Sequence, residues 1–196
     1  MKKVWIALGV VVLLVLMAYG WIRGAYNGFV QGQEGVGKAW ADVESAYQRR
    51  ADLIPNLVET VKGYASHEKD VLLGVTDARS RVGQVKISMD ALTPEAIQKF
   101  QEAQQGLSGA LSKLLAVAEA YPDLKANKSF LDLQTQLEGT ENRINVARNR
   151  FNEAAREYNI RIRSFPGNLL ANLFGFQPKP YFQAEQGAEK APKVKF

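Results

Sequence analysis

From Val4 to Ile22 the chain is apolar at every position, apart from the small residues Ala and Gly, and carries no charge. Beyond that run the pattern changes. Apolar residues then recur at helical steps: Val36, Trp40, Val43, Tyr47, Ile54, Leu57, Val61 and Tyr64, with Arg50 the interruption. The spacing resumes as Val71, Val75, Ala78, Val82 and Val85. It returns as Ile97, Phe100, Gln104, Leu107, Leu111, Leu114, Ala118 and Tyr121, and again as Phe130, Leu133, Leu137, Thr140, Ile144, Ala147, Phe151, Ala154 and Tyr158. Such spacing is the narrow seam of long helices packed side by side; the alternation of strands is missing. The first run is 19 residues long, close to the roughly 20 a helix needs to cross a bilayer. The predicted fold is all-α: an N-terminal transmembrane helix, an antiparallel bundle of three to four long helices, a short C-terminal helix and a flexible tail.

The breaks have clear chemistry. Ser88 to Leu92 reads as a loop, after which Thr93 can cap, Pro94 suits the first helical position and Glu95 the helix dipole. Pro122 ends the helix before it by forcing Tyr121 out of helical geometry, and Asn127 or Ser129 can cap the next. Phe165-Pro166-Gly167-Asn168 closes the last long helix. Pro55 removes a hydrogen bond within the first pattern. The seam keeps phase across it, which predicts a kink there rather than a break; a division at Pro55 or at 63–68 would give four helices. The organisation is then 1–23 anchor, 24–36 Gly-rich juxtamembrane linker, 37–165 bundle, 166–182 short apolar helix and packed end, and 183–196 flexible tail.

The anchor has an alternative reading as a cleaved signal peptide, with a small-residue exit at Ala18-Tyr19-Gly20. Its apolar run exceeds the roughly 7–15 residues of that class, and Tyr19, Trp21 and Tyr26 suit an aromatic belt at the membrane surface. Lys2, Lys3, Tyr19, Trp21 and Arg23 are therefore the expected membrane-surface residues, with the lipid bilayer as a partner. Lys2, Lys3 and the amino terminus outnumber Arg23 and Lys38 by one charge, which places the body outside by the positive-inside rule.

Charge narrows the partners further. The formal net charge is +5, yet the 24–182 stretch holds 19 basic and 18 acidic residues. A nearly neutral body argues against nucleic acid; the basic excess lies largely at the anchor, where anionic lipid attracts it. With no cysteine, neither disulfides nor thiolate chemistry is available.

Candidate chemistry is sparse. His67 is the only histidine, and a zinc site needs several His or Cys ligands. Gly28, Gly32, Gly35 and Gly37 lack the strand, lysine and hydroxyl of a phosphate-binding loop. They suit a flexible or closely packed junction, here taken as a linker, and the four-residue spacing of Gly20, Gly24, Gly28 and Gly32 also suits two approaching anchors. Asp52, Glu59, Glu141, Glu153 and Glu157 read as surface ion-pair formers. No catalytic residue, cofactor or metal is expected. One polar pattern stands apart: Asn142, Asn145, Asn149, Asn152 and Asn159 form a stripe beside the last seam, with Arg156 in its gap. It is either a solvated flank or a hydrogen-bonding strip meeting another helix of this chain or of a second copy, with Arg49, Arg50 and Asp52 near Pro55 and Asn56 as counterparts.

The stretch from Ala39 to Ala65, especially Arg49-Arg-Ala-Asp-Leu-Ile-Pro-Asn-Leu-Val58, is distinctive. So are Glu141-Asn-Arg-Ile-Asn-Val-Ala-Arg-Asn-Arg-Phe-Asn152, Tyr158-Asn159, Phe165-Pro166 and Gly175-Phe176. In these residues the chain resembles the LemA family of bacterial membrane proteins, from the anchor to about Phe182. The resemblance implies an all-helical antiparallel bundle on one N-terminal helix in the cell (inner) membrane. It also implies a short N-terminus outside the cell, opposite to the charge count, and it supplies no reaction. The functional expectation is a membrane-tethered scaffold or interaction module forming a homo-oligomer, with 168–176 lying on the membrane or on a neighbouring subunit. The alternative is an accessory subunit of a membrane enzyme such as a protease, with a membrane protein as partner.

Overall fold

A computed structural model describes residues 2–183; the tail expected at 183–196 lies, except for Gln183, outside the described residues. The elements are α1 (Lys2–Lys62), α2 (Lys69–Gln84), a 3-10 turn (Met89–Ala91), α3 (Pro94–Glu119), α4 (Pro122–Lys125), α5 (Lys128–Arg163) and α6 (Gly167–Phe174). No strand occurs among the described residues. Thr93 accepts from the Ala96 amide at 3.2 Å and caps α3, and Asn127 accepts from the Phe130 amide at 3.0 Å and caps α5.

The anchor and the bundle share one helix. α1 runs for 61 residues without a break, about 90 Å at 1.5 Å per residue. Its apolar start is exposed, and it is long and apolar enough to cross a membrane. Burial begins at Phe29. The linker expected at 24–36 is therefore corrected: those residues are helical. Glycine inside a helix costs about 1 kcal/mol relative to alanine, and packing explains one of them. A Cβ on Gly32 would lie 3.1 Å from Cδ2 of Tyr158, and the Gly28 carbonyl accepts from Arg161 at 3.5 Å. Gly32 lets α5 approach α1 closely, which is helix packing rather than slack.

Nor does Pro55 divide α1. Proline deprives the carbonyl four residues earlier of its amide partner, and that carbonyl, on Ala51, accepts from Arg79 Nε of α2 at 3.0 Å. The division falls instead at 63–68, so four long helices form. α5 lies antiparallel to α1, with Arg50 paired to Glu141 and Gly32 to Tyr158. α2 returns toward the anchor, with Arg79 beside Ala51 and Ile87 accepting from Trp40 Nε1 at 3.2 Å. α3 climbs again, bringing Phe100 to Tyr47 and Gln104 to Arg50.

The core has two parts. Near the anchor, Phe29, Trp40, Tyr47, Phe100, Phe151, Tyr158 and Phe182 dominate. Farther out, Ile54, Leu57, Val61, Leu107, Leu111, Leu114 and Leu137 dominate. Between them the seams of α1, α3 and α5 each carry one buried polar residue: Arg50 between Tyr47 and Ile54, Gln104 between Phe100 and Leu107, Thr140 between Leu137 and Ile144.

Candidate functional site: a polar groove over a buried arginine

Arg50 is 2% exposed. A buried guanidinium is tolerable only when paired and hydrogen-bonded. Its Nη1 donates to Glu141 Oε1 at 2.7 Å and to Ser108 Oγ at 3.1 Å, and its Nη2 donates to the Gln104 side chain. The Tyr47 ring lies 5.1 Å below it. Only Nε has no partner. The Glu141 side chain is 47% exposed, so one end of the pair reaches water.

That water-facing end opens into a groove of about 970 Å³ walled by α3 and α5. Gln101, Gln105 and Ser112 line one wall, Glu138, Asn145 and Asn149 the other, with Arg50 on the floor. The end nearer the anchor is closed by the extended segment 177–183, a strap along α5. Asn159 holds it first: its Nδ2 donates to the Lys179 carbonyl and its Oδ1 accepts from the Lys179 amide, both at 2.8 Å. Asn152 repeats the arrangement on Phe182, donating at 3.1 Å and accepting at 2.8 Å. Phe182 stacks on Trp40 with centroids 6.0 Å apart and meets Phe151 edge-on at 5.4 Å. The Gln183 carbonyl then accepts from Gln101 at 3.1 Å and from Arg148 at 3.0 Å, bridging both walls.

The two clasps share a pitch. Seven helical residues rise about 10.5 Å, and three extended residues span about 10 Å. The next position on this pitch is Asn145, which is exposed on the groove wall.

The asparagine stripe is thus corrected in its partner. Asn152 and Asn159 meet the backbone of their own chain's strap, not another helix. Asn142, Asn145 and Asn149 are exposed. The expected counterparts do not pair with it: Arg49 is exposed, Arg50 turns to Glu141 and Gln104, and Asp52 accepts from Gln48 at 2.7 Å. Pro55 and Asn56 are exposed, and the Asn56 carbonyl accepts from Thr60 at 2.8 Å. Lys2, Lys3, Tyr19, Trp21 and Arg23 are exposed around the apolar segment. Sequence reasoning missed Gln104 and Ser108 as partners of Arg50, and Lys179 as the strap's first contact. Two signals were present: Arg50 and Gln104 each break an apolar seam, and the two breaks meet in space.

The carboxylates expected to form surface ion pairs are dispersed. Glu141 pairs with Arg50, and Glu59 with Lys62 at 3.3 Å. Among the described residues no cluster of His, Asp or Glu could hold a metal. The chemistry on offer is hydrogen bonding by amides around a buried, paired guanidinium.

A four-helix bundle that grows without a joint from an apolar helix long enough to cross a membrane defines a class: all-helical proteins with one membrane-length N-terminal helix. The LemA family profile matches residues 39–196, and the chain belongs to that family. It is similar to the magnetosome protein MamQ 1 of Paramagnetospirillum magneticum, 29% identical over 181 residues, covering 84% of this chain and 66% of the relative. It is also similar to MamQ of Magnetospirillum gryphiswaldense, 26% identical with the same coverage. With the protein LemA of Metamycoplasma hominis it shares 25% identity over 163 residues, 83% of this chain and 71% of the relative. The chain spans just under two thirds of the length of the magnetosome relatives.

Proposed function

We propose that this LemA-family chain is a membrane-tethered interaction module: Val4–Ile22 crosses a bilayer, and the open part of the groove takes an extended segment of a partner polypeptide. The observation that carries the reading is the double clasp of strap backbone by Asn152 and Asn159, with Asn145 next in step and open. Side-chain amides that donate to a carbonyl and accept from an amide read backbone rather than sequence, as strand addition does at a sheet edge. The outer groove supplies more such groups in Gln105 and Asn149. The spaced glycines give self-association less support, because Gly32 is already used against α5.

The test is selection of random peptides on the purified full chain in micelles. Enriched peptides should bind at least about tenfold more weakly to Asn145→Leu with Asn149→Leu, since two amide–backbone bonds at about 1 kcal/mol each are removed. Leu73→Ala, on exposed α2, should bind them unchanged. If nothing is enriched over scrambled controls, or if enriched peptides ignore the double substitution, the groove is not a peptide site. Cross-linking the unsubstituted chain in membranes tests the homo-oligomer separately.

A further inference from the structure

Where α5 descends to the anchor, the surface is apolar and free of acids. α6 buries Leu170 and Ala171 but exposes Leu169, Leu173 and Phe174, and Phe165 before it is 81% exposed. This short helix is tied to α1 by aromatic contacts. Phe174 meets Tyr26 at 5.0 Å, and Phe176 meets Tyr26 at 5.6 Å and Phe29 at 5.3 Å. Tyr26 and Phe29 follow Ile22 by four and seven residues, which places them about 6 and 10 Å beyond the apolar run. An amphipathic helix in the plane of a membrane buries its apolar face about 5–10 Å into the headgroup boundary. The headgroup layer extends about 5–8 Å beyond the hydrocarbon core on each face, so Tyr26 and the α6 ring packed on it stand at headgroup level.

Charge agrees. Residues 23–33 and 158–183, on the bundle side of the apolar run, contain no Asp or Glu, yet they hold Arg23, Arg161, Arg163 and Lys179. Arg161 lies at the level of Gly28. Cations beside an interfacial apolar face are the pattern that anionic lipid attracts. A partner protein at this level would have to displace the bilayer already surrounding α1.

We infer that α6 and Phe165 form an interfacial foot, seated on the anionic lipid surface around the anchor. The foot and α1 together fix the tilt of the bundle, because the base then rests on the membrane at two places rather than one. The inference depends on Val4–Ile22 crossing the bilayer, as proposed above, and is independent of the peptide groove.

The chain lacks cysteine, so single substitutions can each carry one spin label. Leu13→Cys reports the anchor, Leu169→Cys and Leu173→Cys the foot, and Leu73→Cys on α2 the aqueous surface. The full chain is reconstituted in vesicles of phosphatidylethanolamine with phosphatidylglycerol. Labels at 169 and 173 should collide several-fold more with oxygen, relative to a water-soluble nickel chelate, than the label at 73. Arg161→Gln with Arg163→Gln, or vesicles of phosphatidylcholine alone, should reduce that preference. A lipid-embedded label at 13 with water-exposed labels at 169 and 173 overturns the foot and leaves the anchor standing. A water-exposed label at 13 overturns the anchor itself. Dipolar broadening at 173 that vanishes on dilution with unlabelled chain overturns lipid as the occupant in favour of a second copy. These positions are exposed, and unchanged helicity by circular dichroism confirms that each variant folds.

Discussion

The two halves of the bundle are built from different materials. The half next to the anchor is aromatic: Trp40 meets Phe100 and Phe151 edge-on at 5.6 and 5.5 Å, and Tyr47 meets Phe100 at 4.9 Å. The distal half is mostly aliphatic, a zipper of leucine, isoleucine and valine with Phe130 its one fully buried ring. The contrast follows from what each half must enclose. Near the anchor the helices also hold the strap, and large rings reach across to Phe182. Farther out α3 and α5 stand apart over the groove, and smaller side chains suffice to join neighbouring helices. Closure of the groove is therefore a property of the aromatic half, and openness a property of the aliphatic one.

Phe182→Ala should break the contrast most strongly. Removing a buried aromatic costs about 3–5 kcal/mol, and here it also unseats the strap. Hydrogen exchange on the full chain should show lost protection from Phe29 to Tyr47 and at the end of α5, while Leu107 to Leu114 keeps its protection. Equal loss in both halves would mean that they open as one unit and that the polar band does not separate them.

The band itself comes next. Glu141→Leu leaves Arg50 charged, buried and without its counter-ion, a change that costs about 3 kcal/mol. Replacing the set together, with Arg50→Met, Gln104→Leu and Glu141→Leu, should be near neutral or stabilising, because apolar side chains of similar volume need no compensation. The melting temperature of each variant decides the matter. A silent Glu141→Leu would show that water in the groove solvates Arg50 directly.

Helices, caps and the all-α class were legible because each rests on local pattern: seam spacing, Thr93 before Pro94, Asn127 before Phe130. The groove was half legible. Arg50 and Gln104 announced themselves as polar breaks in apolar seams, but nothing local says that two breaks 54 residues apart in sequence meet. The asparagine stripe was visible while its partner was not, since the strap has no periodicity to betray it. The glycines at 24–36 misled for a related reason. Their low helix propensity is a local signal, and the close approach of Tyr158 that overrides it is tertiary.

Within the stripe, Asn159→Ala should cost about 1–3 kcal/mol, because a buried amide leaves the strap backbone unsatisfied. Asn145→Ala should stay within about 0.5 kcal/mol, as an exposed substitution does. Thermal unfolding of the two variants checks the difference between an occupied clasp and an open one. Equal costs would mean that Asn145 already has work in the folded chain.

The smallest effect sharpens the aromatic half. The Tyr158 ring packs on Gly32, but its hydroxyl is buried with no hydrogen-bond partner, and burial pushes its pKa upward. A buried polar group without a partner carries a desolvation penalty, so replacing it with hydrogen can be neutral or favourable. Tyr158→Phe should therefore leave the melting temperature unchanged or raise it by the equivalent of up to about 1 kcal/mol. Trp40 offers the control within the same cluster, because its indole N–H is satisfied by the Ile87 carbonyl. Trp40→Phe discards that bond and leaves the carbonyl unpaired, so it should destabilise. Opposite signs for two substitutions that both end in phenylalanine would show that the aromatic half is held by ring packing, with hydrogen bonds mattering only where both partners are present. If Tyr158→Phe also destabilises, its hydroxyl is satisfied by water entering beside Gly32, and the close contact between α1 and α5 is wetter than their glycine packing implies.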